Sequence, residues 1–333
     1  MTRPLLRRRS WRAVLAVSAA ASLSLTACGG GDQQAGDQQA AQGGFPRTVQ
    51  HVMGSTELKT QPKRVAALDS SYVDAALALE AEVVAYTKYR AYDKLPDYLG
   101  DDAKYGQQAK IVGELENPDI EQLYDIKPDL IVSAKVRHEK LYNEFTGVAP
   151  TVFSQTTGAT WKENIRLLAK ALGKEELAER KIKAYEDRAR RVGENIRAKL
   201  GKDATVSLTR FVEGEPTVRL YSSRSFPGIV MADAGLRRPA GQPDSAGKIS
   251  VDLSQEDITK LDADSVFVSS YADPTKAAED PKARFQTNPL WTKLTGKVAD
   301  VNDNVWFTSV SLQGAQAMLD DLAKHFGVDP ARS

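Results

Sequence analysis

The chain has 333 residues, is 41% hydrophobic and 27% charged, and contains Gly 23 and Pro 15. That length suggests two domains, and the composition excludes a collagen-like or mainly disordered chain. A formal net charge of +1 offers no basic field for nucleic acid, and one Cys excludes an intramolecular disulfide framework or a Cys-based zinc cluster.

Arg3, Arg7, Arg8, Arg9 and Arg12 precede an apolar or small run from Ala13 to Ala27. A basic start and an apolar stretch too short to span a bilayer comfortably predict a secretory signal over 1–27, with an uncleaved signal anchor as the alternative. Leu25-Thr26-Ala27-Cys28 resembles the lipobox of bacterial lipoproteins. In that family the Cys is diacylated and becomes the mature N-terminus, so Cys28 is the expected lipidation site. Acyl chains contribute about 0.8 kcal/mol per buried methylene, so two or three give a stable anchor. Arg8-Arg9 also fits a twin-arginine signal, but Arg12 falls where that motif prefers an apolar residue, and the export route stays open. Removing the five Arg of 1–27 from the 45 basic residues leaves 40 against 44 acidic ones, a net of −4. Gly29 to Gln42 is almost wholly Gly, Asp, Gln and Ala, so 28–58 is expected to be lipid anchor and flexible tether. No later stretch has 18 consecutive apolar residues that would span a membrane.

From about residue 60, short β-rich runs alternate with helical patterns. Strands are expected at Arg64–Leu68, Val83–Tyr86, Asp129–Ser133 and Thr151–Phe153. Helices are expected at Ser70–Glu80 with Asp69 or Ser70 as N-cap, at Asp119–Ile126 before Lys127-Pro128, and at Glu139–Phe145. This alternation predicts a parallel α/β lobe over 59–159. Thr160 to Leu200 is the longest helical stretch, broken at Gly173-Lys174, and 160–202 is expected to bridge two lobes. Its i,i+4 acid–base pairs, such as Glu179–Lys183, read as a solvated face. A second α/β lobe over 203–333 has expected strands at Thr205–Phe211, Thr217–Tyr221, Ser265–Ser269 and Val305–Phe307. Its expected helices are Pro227–Ala234, Ser254–Leu261 and Ser311–Phe326.

Catalytic signatures are absent. The Gly-Lys pairs beginning at Gly173, Gly201, Gly247 and Gly296 are followed by Glu, Asp, Ile and Val, so no phosphate loop forms. No GxGxxG, GxSxG or HExxH occurs. The acidic pairs Asp101-Asp102 and Asp320-Asp321 read as surface groups. His51, His138 and His325 are too scattered to suggest a direct metal site. A metal, if involved, is expected to arrive inside a chelator.

Three motifs carry a family resemblance. The first is the run from Asn117-Pro118-Asp119-Ile120-Glu121 to Lys127-Pro128-Asp129-Leu130-Ile131-Val132. The second is Ser254-Gln255-Glu256-Asp257-Ile258 followed by Leu261-Asp262-Ala263-Asp264. The third is Asn288-Pro289-Leu290-Trp291-Thr292-Lys293-Leu294, with Val298 and Trp306 downstream. Through these, about residues 59–328 resemble the substrate-binding proteins of bacterial iron-siderophore ABC importers. That group has two Rossmann-like α/β lobes bridged by a single long α-helix, and it includes haem and cobalamin binders. The resemblance implies a non-enzymatic protein that carries iron(III) within a siderophore and binds no cofactor directly. It also implies an ABC permease and its ATPase as partners, and a monomer lipid-anchored at the outer face of the cytoplasmic membrane.

The resemblance implies that Glu121 and Glu256 dock onto permease Arg residues; the plain alternative is that both favour a helix N-terminus. The ligand cleft is expected between the lobes, at the C-terminal ends of parallel strands. Candidate ligand contacts are Tyr89 and Arg90, alongside Tyr86, Lys88 and Tyr92, then Lys135 and Arg137. The second lobe offers Arg219, Tyr221, Arg224, Tyr271 and Trp306. Arg and Tyr can hydrogen-bond chelate oxygens, and Trp can pack on an apolar rim. Arg219 in a strand also fits a cross-strand pair, and Arg90, Lys135 and Arg137 also fit ordinary loop charges. Trp161 and Trp291 read as packing residues. Leu115 and Val136 stand about where ferrichrome-type binders use Arg and Tyr, which argues against ferrichrome itself. Haem or cobalamin within the same architecture, with the three His as candidate axial ligands, is the alternative. A chelatase-like enzyme and a surface adhesin are the alternatives from other classes.

Overall fold

The computed structural model describes residues 44–88, 93–271 and 281–332. The signal segment, Cys28, Tyr89, Arg90 and Tyr92 lie outside the described residues. Among the described residues no helix is long and apolar enough to cross a membrane.

Strands β1 (Arg47–His51) and β2 (Gly54–Leu58) form an antiparallel hairpin. This hairpin falls inside the stretch expected as tether, so the folded body begins upstream of residue 59. Val49 and Leu58 are buried, and the Thr56 hydroxyl donates to the Thr151 carbonyl at 2.5 Å. The first lobe continues with β3 (Arg64–Ala67), α1 (Ser70–Ala78), β4 (Glu82–Tyr86), β5 (Lys110–Ile111), β6 (Gly113–Glu114) and β7 (Asn117–Pro118). It closes with α2 (Ile120–Ile126), β8 (Leu130–Ala134), α3 (Lys135–His138), α4 (Tyr142–Val148) and β9 (Thr151–Ser154). Its sheet has the order β5-β4-β3-β8-β9, with every pairing parallel. Both faces are covered, as a parallel sheet requires. Val65, Ala67, Leu130 and Val132 face one apolar cluster, while Ala66, Leu68 and Ile131 face another. The two-residue period of a strand produces that division.

Helices α5 (Trp161–Leu172) and α6 (Glu175–Leu200) meet at Gly173, whose φ of 65° is the left-handed cap that glycine adopts without strain. Helix α5 packs on α1 and β9 and so belongs to the first lobe. The bridge is α6 alone, 26 residues and about 39 Å long at 1.5 Å per residue.

The second lobe comprises β10 (Val206–Val212), β11 (Val218–Tyr221), α7 (Phe226–Asp233), β12 (Ser250–Leu253), β13 (Ser265–Tyr271), α8 (Pro281–Gln286), β14 (Lys297–Asp300) and α9 (Leu312–Phe326). Its order is β12-β11-β10-β13-β14, parallel across β10, β13 and β14 and antiparallel at β11 and β12. The helix expected at 254–261 is a 3-10 segment, Gln255–Leu261. The strand expected at Val305–Phe307 is instead a π-helical turn, Asn304–Thr308. Asn302 explains the difference: its side-chain oxygen accepts the Asn304 N–H at 2.9 Å, and its carbonyl accepts the Trp306 N–H at 3.0 Å. Such local bonds compete with a sheet ladder, and a short apolar run alone cannot distinguish the two.

Near its start, α6 faces the first lobe: the Lys174 ammonium donates to the Leu79 and Glu80 carbonyls at 2.7 Å each. Farther along it meets the second lobe through Tyr185, which donates to Asp233 at 2.8 Å, and Arg188, which donates to the Pro330 carbonyl at 3.0 Å. Gly193 lets α6 approach α7, since a Cβ there would stand 1.8 Å from the Ala234 carbonyl oxygen. Helix α9 supplies a second tie: Gln313 donates to the Asp74 carbonyl at 3.0 Å and to Asp102 at 2.9 Å, both in the first lobe.

Candidate functional site

A cavity of about 440 Å3 lies between the lobes, within the size range of small-molecule sites. The first lobe lines it with residues that follow strand ends: Asp69 and Ser70 after β3, Lys88 after β4, Val136 and Arg137 after β8, and Thr156 to Gly158 after β9. The second lobe contributes Arg210 of β10, Arg219 and Tyr221 of β11, the start of α7, and Phe307 and Thr308 of the π turn. Strand ends thus deliver polar groups to the cleft from both lobes, as in open α/β sheets generally.

Arg210 is buried in the wall of this cavity. Its Nε donates to Asp303 Oδ1 at 2.6 Å, and its Nη2 donates to Asp303 Oδ2 at 2.5 Å. Nη1 donates to the Tyr221 hydroxyl at 3.3 Å. The Tyr271 and Phe307 rings flank the guanidinium at 5.1 and 5.7 Å. Burial pulls its pKa down, but the hydrogen bonds and charge of Asp303 and Tyr221 more than offset this, so the value is raised and Arg210 stays charged. Ser269 donates to the same carboxylate at 2.5 Å and helps fix it.

The other cations of the cleft are also held. Arg137 donates through Nε to Asp69 Oδ2 at 2.9 Å. Asp69 is itself buried as the N-cap of α1, where it accepts the Ser71 N–H at 2.9 Å. Arg219 grips Glu215 with two bonds, Nε to Oε2 at 2.8 Å and Nη2 to Oε1, and the bonded carboxylate raises its pKa. Lys88 lies 3.1 Å from Glu114 and 3.3 Å from Asp93, which likewise raise its pKa, Glu114 foremost. Behind the cavity, His138 is buried between the Ser133 hydroxyl at 2.7 Å and the Leu115 carbonyl at 2.5 Å, and burial lowers its pKa.

The structure brings Arg137, Arg219 and Tyr221 into the cavity wall and leaves other expected contacts outside it. Trp306 is fully buried: its indole N–H donates to Asp321 at 2.8 Å and its ring lies 4.7 Å from Phe267. The π turn directs Trp306 toward α9 and gives the cleft wall its neighbour Phe307. Tyr271 stacks on Arg210 without lining the cavity, and Lys135 pairs with Glu139 at 3.2 Å. Arg224 is exposed in the turn before α7, outside the lining formed by the described residues. Tyr89 and Arg90 lie outside the described residues. Trp161 is buried against Phe226 and Tyr185, and Trp291 packs near Phe211. Glu121 and Glu256 are exposed in the first turns of α2 and of the 3-10 segment Gln255–Leu261, one in each lobe. Leu115 and Val136 both line the cavity. None of His51, His138 and His325 does. Among the described residues no group of three His, Cys, Asp or Glu could hold a metal ion. Arg210 and Phe307 were not singled out from the sequence as ligand contacts. Arg210 as the one charged residue inside the strand Val206–Val212 was the available signal, since a buried charge must be paired or put to use.

Residues 65–297 match the family model described as periplasmic binding protein. The "Probable siderophore-binding lipoprotein YfiY" of Bacillus subtilis (strain 168) is 35% identical over 294 residues, 84% of this chain and 87% of the relative. The "Fe(3+)-citrate-binding protein YfmC" of the same organism is 26% identical over 94% of this chain and 96% of its own length. Among solved structures, Staphylococcus aureus SirA complexed with staphyloferrin B superposes with a TM-score of 0.76 at 28% identity, covering 85% of this chain and 99% of SirA. The expected pair of α/β lobes and the absence of an enzymatic role are borne out, and the chain belongs to the periplasmic binding protein family.

Proposed function

We infer that the protein captures a ferric siderophore in the interlobe cleft and delivers it to an ABC-type permease, whose ATPase drives iron uptake. The observation that carries this reading is the cleft itself. Fixed guanidinium and hydroxyl groups from both lobes converge there, with Phe226, Ile249 and Phe307 as apolar wall. Such a wall suits a chelate that presents oxygens around iron and an apolar periphery. The names of YfiY and YfmC, and the staphyloferrin B bound to SirA, support the same ligand class. Iron is cargo held by the chelator, and the protein contributes no metal ligand. The body works as a monomer outside the cytoplasm, tied to the outer face of the membrane through lipid on Cys28.

Glu121 and Glu256 form the permease-docking pair. Their placement, one per lobe and exposed, supports a contact that senses how the lobes are set. Replacing both with Ala is expected to abolish uptake by cells while leaving ligand binding intact, and an equal loss of both would refute the docking role.

The test of the ligand reading is titration of the full chain with a ferric trihydroxamate, a ferric tricatecholate, haem and cobalamin, each chelate beside its metal-free form. Saturable binding of a ferric chelate below micromolar concentration is expected. Binding of haem or cobalamin alone would replace this reading.

A further inference from the structure

Glu114, Leu115 and Glu116 line the first-lobe side of the cavity, at the tip of the hairpin β6–β7. Its strands make only two pairs, Gly113 with Pro118 and Glu114 with Asn117, and Leu115-Glu116 is the turn between them. A two-stranded ribbon is marginal on its own even at greater length, so this tip needs a tie to the body of the lobe. At the neck, the Lys88 N–H donates to the Gly113 carbonyl at 3.0 Å, and the Asp119 N–H donates to the Val112 carbonyl at 2.8 Å. At the tip, the Leu115 carbonyl lies 2.5 Å from His138 Nε2. A carbonyl can only accept, so Nε2 carries the proton. Nδ1 of the neutral ring is then the acceptor, and the Ser133 hydroxyl donates to it at 2.7 Å. The ring is buried and meets Phe145 edge to face at 5.6 Å. Ser133 belongs to β8 and Phe145 to α4, so the body of the lobe holds the ring and the ring holds the hairpin.

We propose that His138 is a positioning residue for ligand capture: its Nε2–H pins the tip of the hairpin β6–β7 and so holds Leu115 and Glu116 in place against the bound chelate. The proposal rests on the siderophore reading of the cleft. His138 does not line the cavity, so it acts on the ligand only through the hairpin. Glu114 on the same hairpin pairs with Lys88 at 3.1 Å, and a tip that drifts also loosens this pair at the cavity wall. Without the tie, the turn has to be ordered at each binding event, and that ordering is subtracted from the affinity. With the tie, the wall is set before the ligand arrives.

The experiment separates the two bonds of the ring by side-chain length. In His138→Gln the amide nitrogen stands where Nε2 does and can still donate to Leu115. In His138→Asn the shorter amide reaches Ser133 but not Leu115, and Ser133→Ala removes only the Nδ1 bond. A ferric trihydroxamate and a ferric tricatecholate are titrated into the full chain and each variant, with thermal unfolding recorded in parallel. For whichever chelate the native chain binds, His138→Asn is expected to weaken affinity about tenfold, and His138→Gln to stay within about threefold of native. Ser133→Ala is expected to lower the melting temperature without a matching loss of affinity. Affinity that merely follows the melting temperature across the three variants overturns the proposal. So does His138→Gln binding as weakly as His138→Asn, or His138→Asn binding like the native chain. Nitrogen NMR of the His138 ring in the native chain at mildly alkaline pH needs no variant: the Nε2-protonated tautomer is expected, and the Nδ1-protonated one overturns the proposal. Failure of both chelates to bind the native chain overturns the siderophore reading, and this proposal with it.

Discussion

Arg210 and Asp303 illustrate how one residue pair serves both stability and site. Both are largely out of solvent, and their two charge-assisted bonds are backed by Ser269 and Tyr221. Replacing Arg210 with Met would strand Asp303 without its partner, at a cost of about 3–5 kcal/mol. Urea unfolding should read that loss, and Arg210→Met/Asp303→Leu should recover part of it, because the stranded charge is then gone. His138 adds a pH dependence. Burial, foremost, lowers its folded pKa from the ordinary 6.5, with the charge of Arg137 acting the same way and the Leu115 carbonyl, Asp69 and Glu116 opposing. The unfolded chain therefore takes up its proton first as pH falls. The contribution of neutral His138 is present above 6.5 and is lost as pH falls below it. Measured stability should decline between neutral and mildly acidic pH, and His138→Gln should flatten part of that slope. At this scale the sequence was only partly legible. Arg137, Arg219 and Tyr221 follow from their positions after or within strands, but the inward turn of Arg210 depends on Asp303, 93 residues away.

Among the elements, the parallel strands and the paired helices α5 and α6 were legible because apolar runs, caps and Gly173 agree locally. The hairpin β1–β2 was not, since Val49 is the only fully buried position of β1 and the alternation is too short to detect. The π turn was not either, because Val305, Trp306 and Phe307 form an apolar run that also suits a strand. The close approach of α6 to α7 tests the packing directly. Gly193→Ala should cost about 1–3 kcal/mol in thermal or denaturant unfolding, since a methyl group would meet the Ala234 carbonyl and force the helices apart. A cost below the error of the measurement would mean that the helices can separate freely at this point.

For the whole molecule, several contacts among the described residues join the lobes, the ring contact of Trp161 with Phe226 and the Lys162–Asp233 ion pair at 2.9 Å among them. Helix α6 runs from one to the other, and Gln313 of α9 reaches back to Asp74 and Asp102. The core cluster also continues across them, from Val65 and Leu130 through Tyr185 and Val192 to Leu208 and Phe267. Closure by a wide hinge would have to break that packing, so only a small rotation is expected on ligand capture. Small-angle scattering of free and loaded protein should give nearly superimposable curves. A marked contraction on loading would refute the stiff bridge. The sequence pointed to the long helix but not to the tie from α9, because Gln313 carries no periodic or charge signal that marks it.

The shared cluster has a consequence for how the protein comes apart. Two lobes that bury side chains in one common interior lack separate melting equilibria, so neither can unfold while the other keeps its native contacts. Heat should dissolve the body in a single calorimetric transition, and a ligand held between the lobes should raise that one melting temperature. In the harsh surroundings of an exported protein, a filled cleft would thus protect both lobes at once.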